Sequence, residues 1–219
     1  MLRPYLVLLI QMMMCIPITV LAHQPRIVTS ESITVHKPEI SQAFYAELHG
    51  HPQTYLIVAD RPFDLYLQLT VPKIPHARTD FFLTISRDAH RLQRFDGGAT
   101  TWKTFTEPFA GDRYLTGPEY EDSDAPPGQY QIVVSSPDNQ GKYVLAIGKI
   151  ESFTLADWLH TLAVLPKMKA FMGKSPFTAY LNLIGLTVLV PLLAIIFVIM
   201  LLARSIRRRR RTRAMLSSG

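Results

Sequence analysis

Between residues 175 and 203 the chain carries no charged side chain, and its sequence from 179 onward is almost wholly apolar. A helix of about 20 apolar residues is enough to cross the hydrocarbon core of a bilayer. The run is therefore expected to form a transmembrane helix over 177–203, with Asn182 and Pro191 tolerable inside it. Seven arginines follow at once: Arg204, Arg207, Arg208, Arg209, Arg210, Arg211 and Arg213. Positive flanks resist translocation, so they act as a topology signal and place the tail 204–219 in the cytoplasm. A second reading gives the same arginines anionic lipid headgroups to bind.

The N-terminus has the three parts of a secretory signal over residues 1–22. Arg3 supplies the positive start, an apolar stretch follows, and Val20-Leu21-Ala22 offers a small-residue cleavage site before His23. The competing reading is an uncleaved anchor. Together the two ends describe a single-pass type I protein of the cell membrane, its N-terminal domain extracytoplasmic and its lipid partner the bilayer. Other envelope membrane proteins are further expected partners.

The charge balance depends on position. Setting aside Arg3 and the seven tail arginines leaves 15 basic residues against 17 acidic ones, so the high pI belongs to the tail. No basic face remains to suggest nucleic acid as a partner. The single cysteine, Cys15, lies in the signal region, and neither asparagine begins a glycosylation sequon. An exported domain without disulfides must be held by a hydrophobic core, and both absences fit a prokaryotic envelope.

Residues 23–153 show period-two alternation in short runs rich in β-branched and aromatic side chains. The expected strands cover 33–36, 43–48, 55–59, 64–69, 81–86, 129–135 and 142–147, separated by Gly- and Pro-bearing turns. Seven short strands at this spacing predict a mainly β fold, an antiparallel β-sandwich ectodomain. The last two runs read as a hairpin, Gly128-Gln129-Tyr130-Gln131-Ile132 followed by Gly141-Lys142-Tyr143-Val144-Leu145. In this hairpin the sequence resembles the bacterial pre-peptidase C-terminal domains. That resemblance implies a jelly-roll-like sandwich with an accessory binding or folding role, and it carries over no catalytic residue.

The period changes after Phe153. Thr154 and Asp157 suit the start of a helix, and Leu155, Leu159 and Leu162 mark one face, joined by Trp158 and Leu165. Pro166 is expected to interrupt this helix, with Met168, Phe171 and Met172 forming a second amphipathic piece. The segment 154–174 is read as a juxtamembrane helical stalk, the alternatives being that it packs on the sandwich or on a partner.

Three groups of residues suggest chemistry. A mature N-terminal His23 offers an amine and an imidazole to copper, and His49 and His51 share one face of an extended strand. Each histidine is equally a solvated residue at a turn or chain end. The acidic stretch of 107–124 supplies oxygen ligands of the kind calcium takes, with Asp112, Glu119 and Asp122 as candidates, although solvated loop carboxylates look the same. Trp102, Phe105, Phe109, Tyr114 and Tyr120 form an aromatic segment that suits a recognition surface or an irregular part of the core. No nucleophile elbow, His-Glu-x-x-His or phosphate-binding glycine loop occurs, so no catalytic residue is assigned. The expected function is a membrane-anchored, non-catalytic binding module of the cell envelope without a cofactor. The alternative is a periplasmic or surface protein that binds copper or calcium.

Overall fold

The computed structural model describes residues 23–108 and 110–181, with 185, 189–190, 192–201, 203–204 and 207 beyond them. The expected signal segment 1–22, part of the expected span and the arginines at 208–211 and 213 lie outside the described residues. The chain divides into two units, one ending at Ala179 and the other containing the residues from Tyr180 onward.

In the first unit eleven strands form two sheets. The strands are β1 (Gln24–Ile27), β2 (Ser32–Thr34), β3 (Gln42–His49), β4 (Gln53–Ala59), β5 (Phe63–Pro72) and β6 (Phe82–Arg87). They continue with β7 (His90–Asp96), β8 (Lys103–Thr106), β9 (Arg113–Ala125), β10 (Gly128–Ser135) and β11 (Gln140–Ile147). Sheet I has the order β1-β3-β11-β5-β9-β8, and sheet II the order β2-β4-β10-β6-β7. All seven expected strands are present within a few residues of their expected limits. The sandwich is not wholly antiparallel, because β1 runs parallel to β3 and β2 parallel to β4. The chain places one short strand on each sheet before returning to β3, and both enter in the direction of their neighbour.

The alternation seen in sequence is the alternation of burial. In β5, Leu65, Leu67, Leu69 and Val71 are fully buried and the residues between them only partly so. They meet Tyr55, Ile57, Leu83, Ile85, Ile132 and Val134 from sheet II in one core. Phe44 and Tyr55 meet edge to face at 5.2 Å, as do Phe63 and Tyr130 at 5.4 Å. The phenols of Tyr55 and Tyr143, one from each sheet, share a hydrogen bond of 3.0 Å inside this core. Burial drives both phenol pKa values above the ordinary tyrosine range.

Four strands lack a sequence signal. β1 is only four residues long, and β7 and β8 are edge strands that are almost entirely exposed, so they need no alternation. The β6–β7 hairpin turns through Asp88 and Ala89, both at positive φ, instead of the Asn-Gly or Asp-Gly pair that announces such a turn. Hydrogen bonds from Asp88 N to Gln129 O and from Gln129 N to Asp88 Oδ1, both 2.9 Å, hold the turn in place. β9 is masked by Gly117, Pro118 and four acidic residues. A register shift against β5 near Leu69 takes up Gly117 and Pro118, which removes the need for a ladder hydrogen bond from the proline. The ring of Trp102 lies over Gly117, where a Cβ would come within 2.5 Å of it.

Helix α1 (Leu155–Phe171) begins with a capping box between Thr154 and Asp157. The two hydrogen bonds from Thr154 lower the Asp157 carboxyl pKa below the ordinary aspartate value. The helix does not stop at Pro166. Val164 and Leu165 before the proline and Met168 and Lys169 after it are all buried, so both turns are held down, offsetting a defect of about 3 kcal/mol. The expected apolar face is buried only in its later part: Leu165, Met168 and Met172 are buried, whereas Leu155 and Leu159 are exposed. The edge-to-face contact of Phe171 with Tyr45, at 5.5 Å, sets the end of the helix on sheet I. The segment read as a stalk is thus packed on the sandwich through its C-terminal half, which explains why Ala43, Phe44, Tyr45 and Ala46 are buried on both faces of β3.

In the second unit, residues 192–201 are helical and Leu192, Leu193, Ile195, Ile196, Phe197, Ile199 and Met200 are exposed. Among the described residues no helix is long and apolar enough to cross a membrane, and the expected span 177–203 is described only in part.

Two measurements check this account. Tyr143→Phe strands the Tyr55 hydroxyl and should cost about 1–3 kcal/mol, while Tyr55→Phe with Tyr143→Phe should cost less than the sum of the single changes. Chemical unfolding followed by Trp fluorescence reads this cycle. Thr154→Ala should cost about 1 kcal/mol at pH 7. The lowered Asp157 pKa stabilises the fold above about pH 4 and ceases to do so as pH falls through the lowered value. The cost of Thr154→Ala should therefore shrink in acid, which a pH series of the same unfolding curves would show.

Candidate functional site

Two places in the sandwich unit concentrate unusual chemistry: a buried ionic cluster beneath the end of α1, and a cleft at the sandwich edge. The cluster centres on Asp112, which stands just before β9 and is 1% exposed. Lys169 of α1, 3% exposed, donates to Asp112 Oδ2 and to the Ala110 carbonyl, each at 2.8 Å. Lys174 approaches the other carboxylate oxygen, Oδ1, at 2.6 Å. Two cations thus share one carboxylate and leave no side-chain oxygen of Asp112 without a partner. Nearby the Tyr45 and Tyr114 phenols meet at 3.3 Å, and Lys142 donates to the Phe171 carbonyl at 3.3 Å. Burial raises both phenol pKa values above the ordinary range.

The cleft lies where β1 and β2 end their sheets on the same side of the sandwich. A cavity of about 530 Å³ opens there, with Val28, Ile33, Ile40 and Phe44 among its apolar lining and Arg26, His36 and Lys37 among its basic lining. Its volume falls within the range of small-ligand pockets. Asp157 also lines it, already engaged in the capping box of α1. A second cavity of about 430 Å³ shares residues 27–30 in its lining and also includes Glu31, Glu47, His49 and His51.

The structure separates most of the residues grouped by sequence. His23 hydrogen-bonds to Ser41 beside the start of β3, whereas His49 ends that strand. About seven residues of extended chain, roughly 23 Å, separate the two positions. His49 and His51 do share the lining of one cavity. The acidic stretch read as a loop is largely strand β9. Asp112 and Asp122 are consequently about 30 Å apart along the strand direction, with Glu119 between them. Glu119 accepts from Gln68 at 3.4 Å, Glu121 pairs with Lys149 at 2.5 Å, and Asp122 accepts from the Asp124 N–H at 3.3 Å. Burial, followed by the charge of Glu119, pushes the neighbouring Tyr66 phenol up to about 12. Among the described residues no three His, Cys, Asp or Glu side chains are grouped to hold a metal ion.

The aromatic segment is divided in the same way. Trp102 and Tyr120 pack partly against the core, and Trp102 Nε1 donates to Gly97 O at 2.9 Å. Tyr114 is buried near the end of α1, and Phe105 is exposed on edge strand β8. Phe109 lies outside the described residues. Sequence reasoning missed the roles of Lys169 and Lys174, because a lysine on an amphipathic segment reads as solvated until its carboxylate partner is known. It also missed the cleft, because β1 carries no alternation and nothing local shows that β1 and β2 end their sheets on the same side.

No family model matches the chain, and no curated protein matches it. Solved structures similar to it include the periplasmic g-type lysozyme inhibitor PliG of Aeromonas hydrophila, 14% identical with a TM-score of 0.35, over 57% of this chain and 97% of that one. Another is the pre-peptidase C-terminal domain of a Bacillus anthracis collagenase, 8% identical with a TM-score of 0.29, over 58% and 95%. A third is CorA, a surface-associated copper-binding protein of Methylomicrobium album BG8, 10% identical with a TM-score of 0.30, over 57% and 100%.

Removing Asp112 would leave Lys169 buried without a counter-charge. Asp112→Ala should cost about 3–5 kcal/mol, and Lys174→Met much less, because that lysine is 44% exposed and Lys169 keeps its partner. Thermal unfolding of the full chain in detergent compares the two, and equal losses would contradict a cluster centred on Lys169.

Proposed function

We propose that the chain is a membrane-anchored extracytoplasmic binding module, a non-catalytic accessory component of a cell envelope. The observation that carries the binding half is the cleft of about 530 Å³ at the β1–β2 edge, lined by apolar side chains and by the basic side chains of Arg26, His36 and Lys37. The anchoring half is supported by the uncharged run up to Ala203, the seven arginines after it, and the exposed apolar side chains of helical residues 192–201. In this reading the bilayer holds the module at the membrane and the open sandwich edge receives the ligand.

The test uses full-length protein solubilised from membranes with and without Thr29→Trp, an exposed position that lines both cavities. Native mass spectrometry should detect a non-covalent adduct on the unaltered protein that is lost from the variant. An adduct held equally by both, or none on either, counts against the cleft. Recovery of the unaltered chain in the supernatant after alkaline carbonate extraction would remove the anchor from this reading.

A further inference from the structure

The ionic cluster at Asp112 bears on where the sandwich meets the membrane. Lys174 stands three residues before Phe177, the first residue of the expected span. That interval reaches no more than about 11 Å even when fully extended. Yet the Lys174 ammonium lies 2.6 Å from Asp112 and 3.5 Å from the Gly111 carbonyl, both in the turn between β8 and β9. Lys169 anchors the preceding helical turn to the same carboxylate. Gly173, at positive φ, ends the helix between the two lysines, and its N–H bonds to the Ala170 carbonyl. The exit of the chain from the sandwich unit is therefore tied to one end of the sandwich.

Side chains beyond this tie point change character at once. Phe177 is 92% exposed, while Ala179, the last residue of the unit, is fully buried. An isolated phenylalanine this exposed would be ordinary, but here it lies near the start of an uncharged run from Ser175 to Ala203. Lys73 and Arg113 flank the turn, linked by a backbone hydrogen bond of 2.9 Å, and supply cations of the kind that sit among lipid headgroups.

We infer that the β8–β9 turn is the membrane-facing end of the module, seated on the lipid headgroups and held there by the clamp of Lys169 and Lys174 on Asp112. The module then stands on the bilayer in one orientation. Its opposite end is marked by Arg61 in the β4–β5 turn, since Phe63 pairs with Ala125 at the far limit of β9. The thirteen residues of β9 put that end about 40 Å further from the lipid. This inference rests on the anchoring half of the proposed function.

Cysteine labelling separates the possibilities, because Cys15 is the chain's only cysteine. Full-length protein carrying Cys15→Ser and either Thr106→Cys or Arg61→Cys is labelled with a fluorophore and reconstituted into vesicles that contain a nitroxide-labelled lipid. Both sites are exposed, and neither belongs to the cleft or the clamp. The label at 106 should be strongly quenched by the lipid-borne nitroxide and the label at 61 left unquenched. Lys174→Met, which keeps the Lys169 pair, should reduce quenching at 106; Asp112→Asn should reduce it further. Equal quenching at 106 and 61 in protein that remains with the vesicles, or no response to either clamp variant, overturns the orientation and leaves the anchor standing. Protein that does not remain with the vesicles overturns both.

Discussion

The two sheets of the sandwich are held to one another by side chains meeting between them, because no cysteine lies within it to tie them together. The alternate residues of β5, β4, β6, β10 and β11 meet this constraint by filling one core. The Tyr55–Tyr143 pair is the one described place where a hydroxyl from each sheet meets deep in that core. Two buried phenols satisfy each other there, and the match holds only in the correct register of β4 against β10 and β11 against β3. The position of everything outside the core, including the cleft and the clamp, depends on that register.

The two sheets then meet solvent differently. Sheet I is covered in part by α1, so β3 is buried on both faces. Sheet II keeps Leu56 and Val58 of β4 exposed. Covering one face turns a terminal helix into part of the sandwich and brings two lysines to a carboxylate about sixty residues earlier in the chain. A buried ion pair of this kind adds little net stability relative to an apolar contact, but it is costly to break. Its geometric result is the larger one: the end of α1 has a defined seat, and the chain leaves the sandwich at a defined place.

The fold was legible where burial imposes a period and illegible where it does not. Leu65, Leu67 and Leu69 announced β5 because the sheet buries every second residue. β7 and β8 had no such obligation, since an edge strand with exposed side chains accepts almost any polar composition. In β9 the carboxylates read as loop chemistry, although the strand accommodates them with a bulge and with partners such as Lys149. In α1, the proline misled, and the leucine stripe did so only at its start. Tertiary packing buried Leu165 and Met168 of the expected face together with Val164, and left Leu155 and Leu159 exposed. Of the candidate site, His49 and His51 stayed neighbours because their spacing is local. Asp112, Glu119 and Asp122 were separated because their proximity depended on a loop that is a strand, and His23 because it stands at the opposite end of β3 from His49.

By itself, the sequence determined the mainly β character of the domain, its need for a disulfide-free core, and the expectation of an apolar anchor followed by a basic tail. Each of these follows from composition or from a short-range period, which the chain carries whatever its long-range contacts. Tertiary structure alone decided that β1 and β2 run parallel to their neighbours and open a cleft, and that Pro166 does not end the helix. It also decided that Lys169 and Lys174 belong to Asp112. Those outcomes depend on which distant segments meet when the two sheets close, and pairings across tens of residues leave no periodic mark in a single sequence.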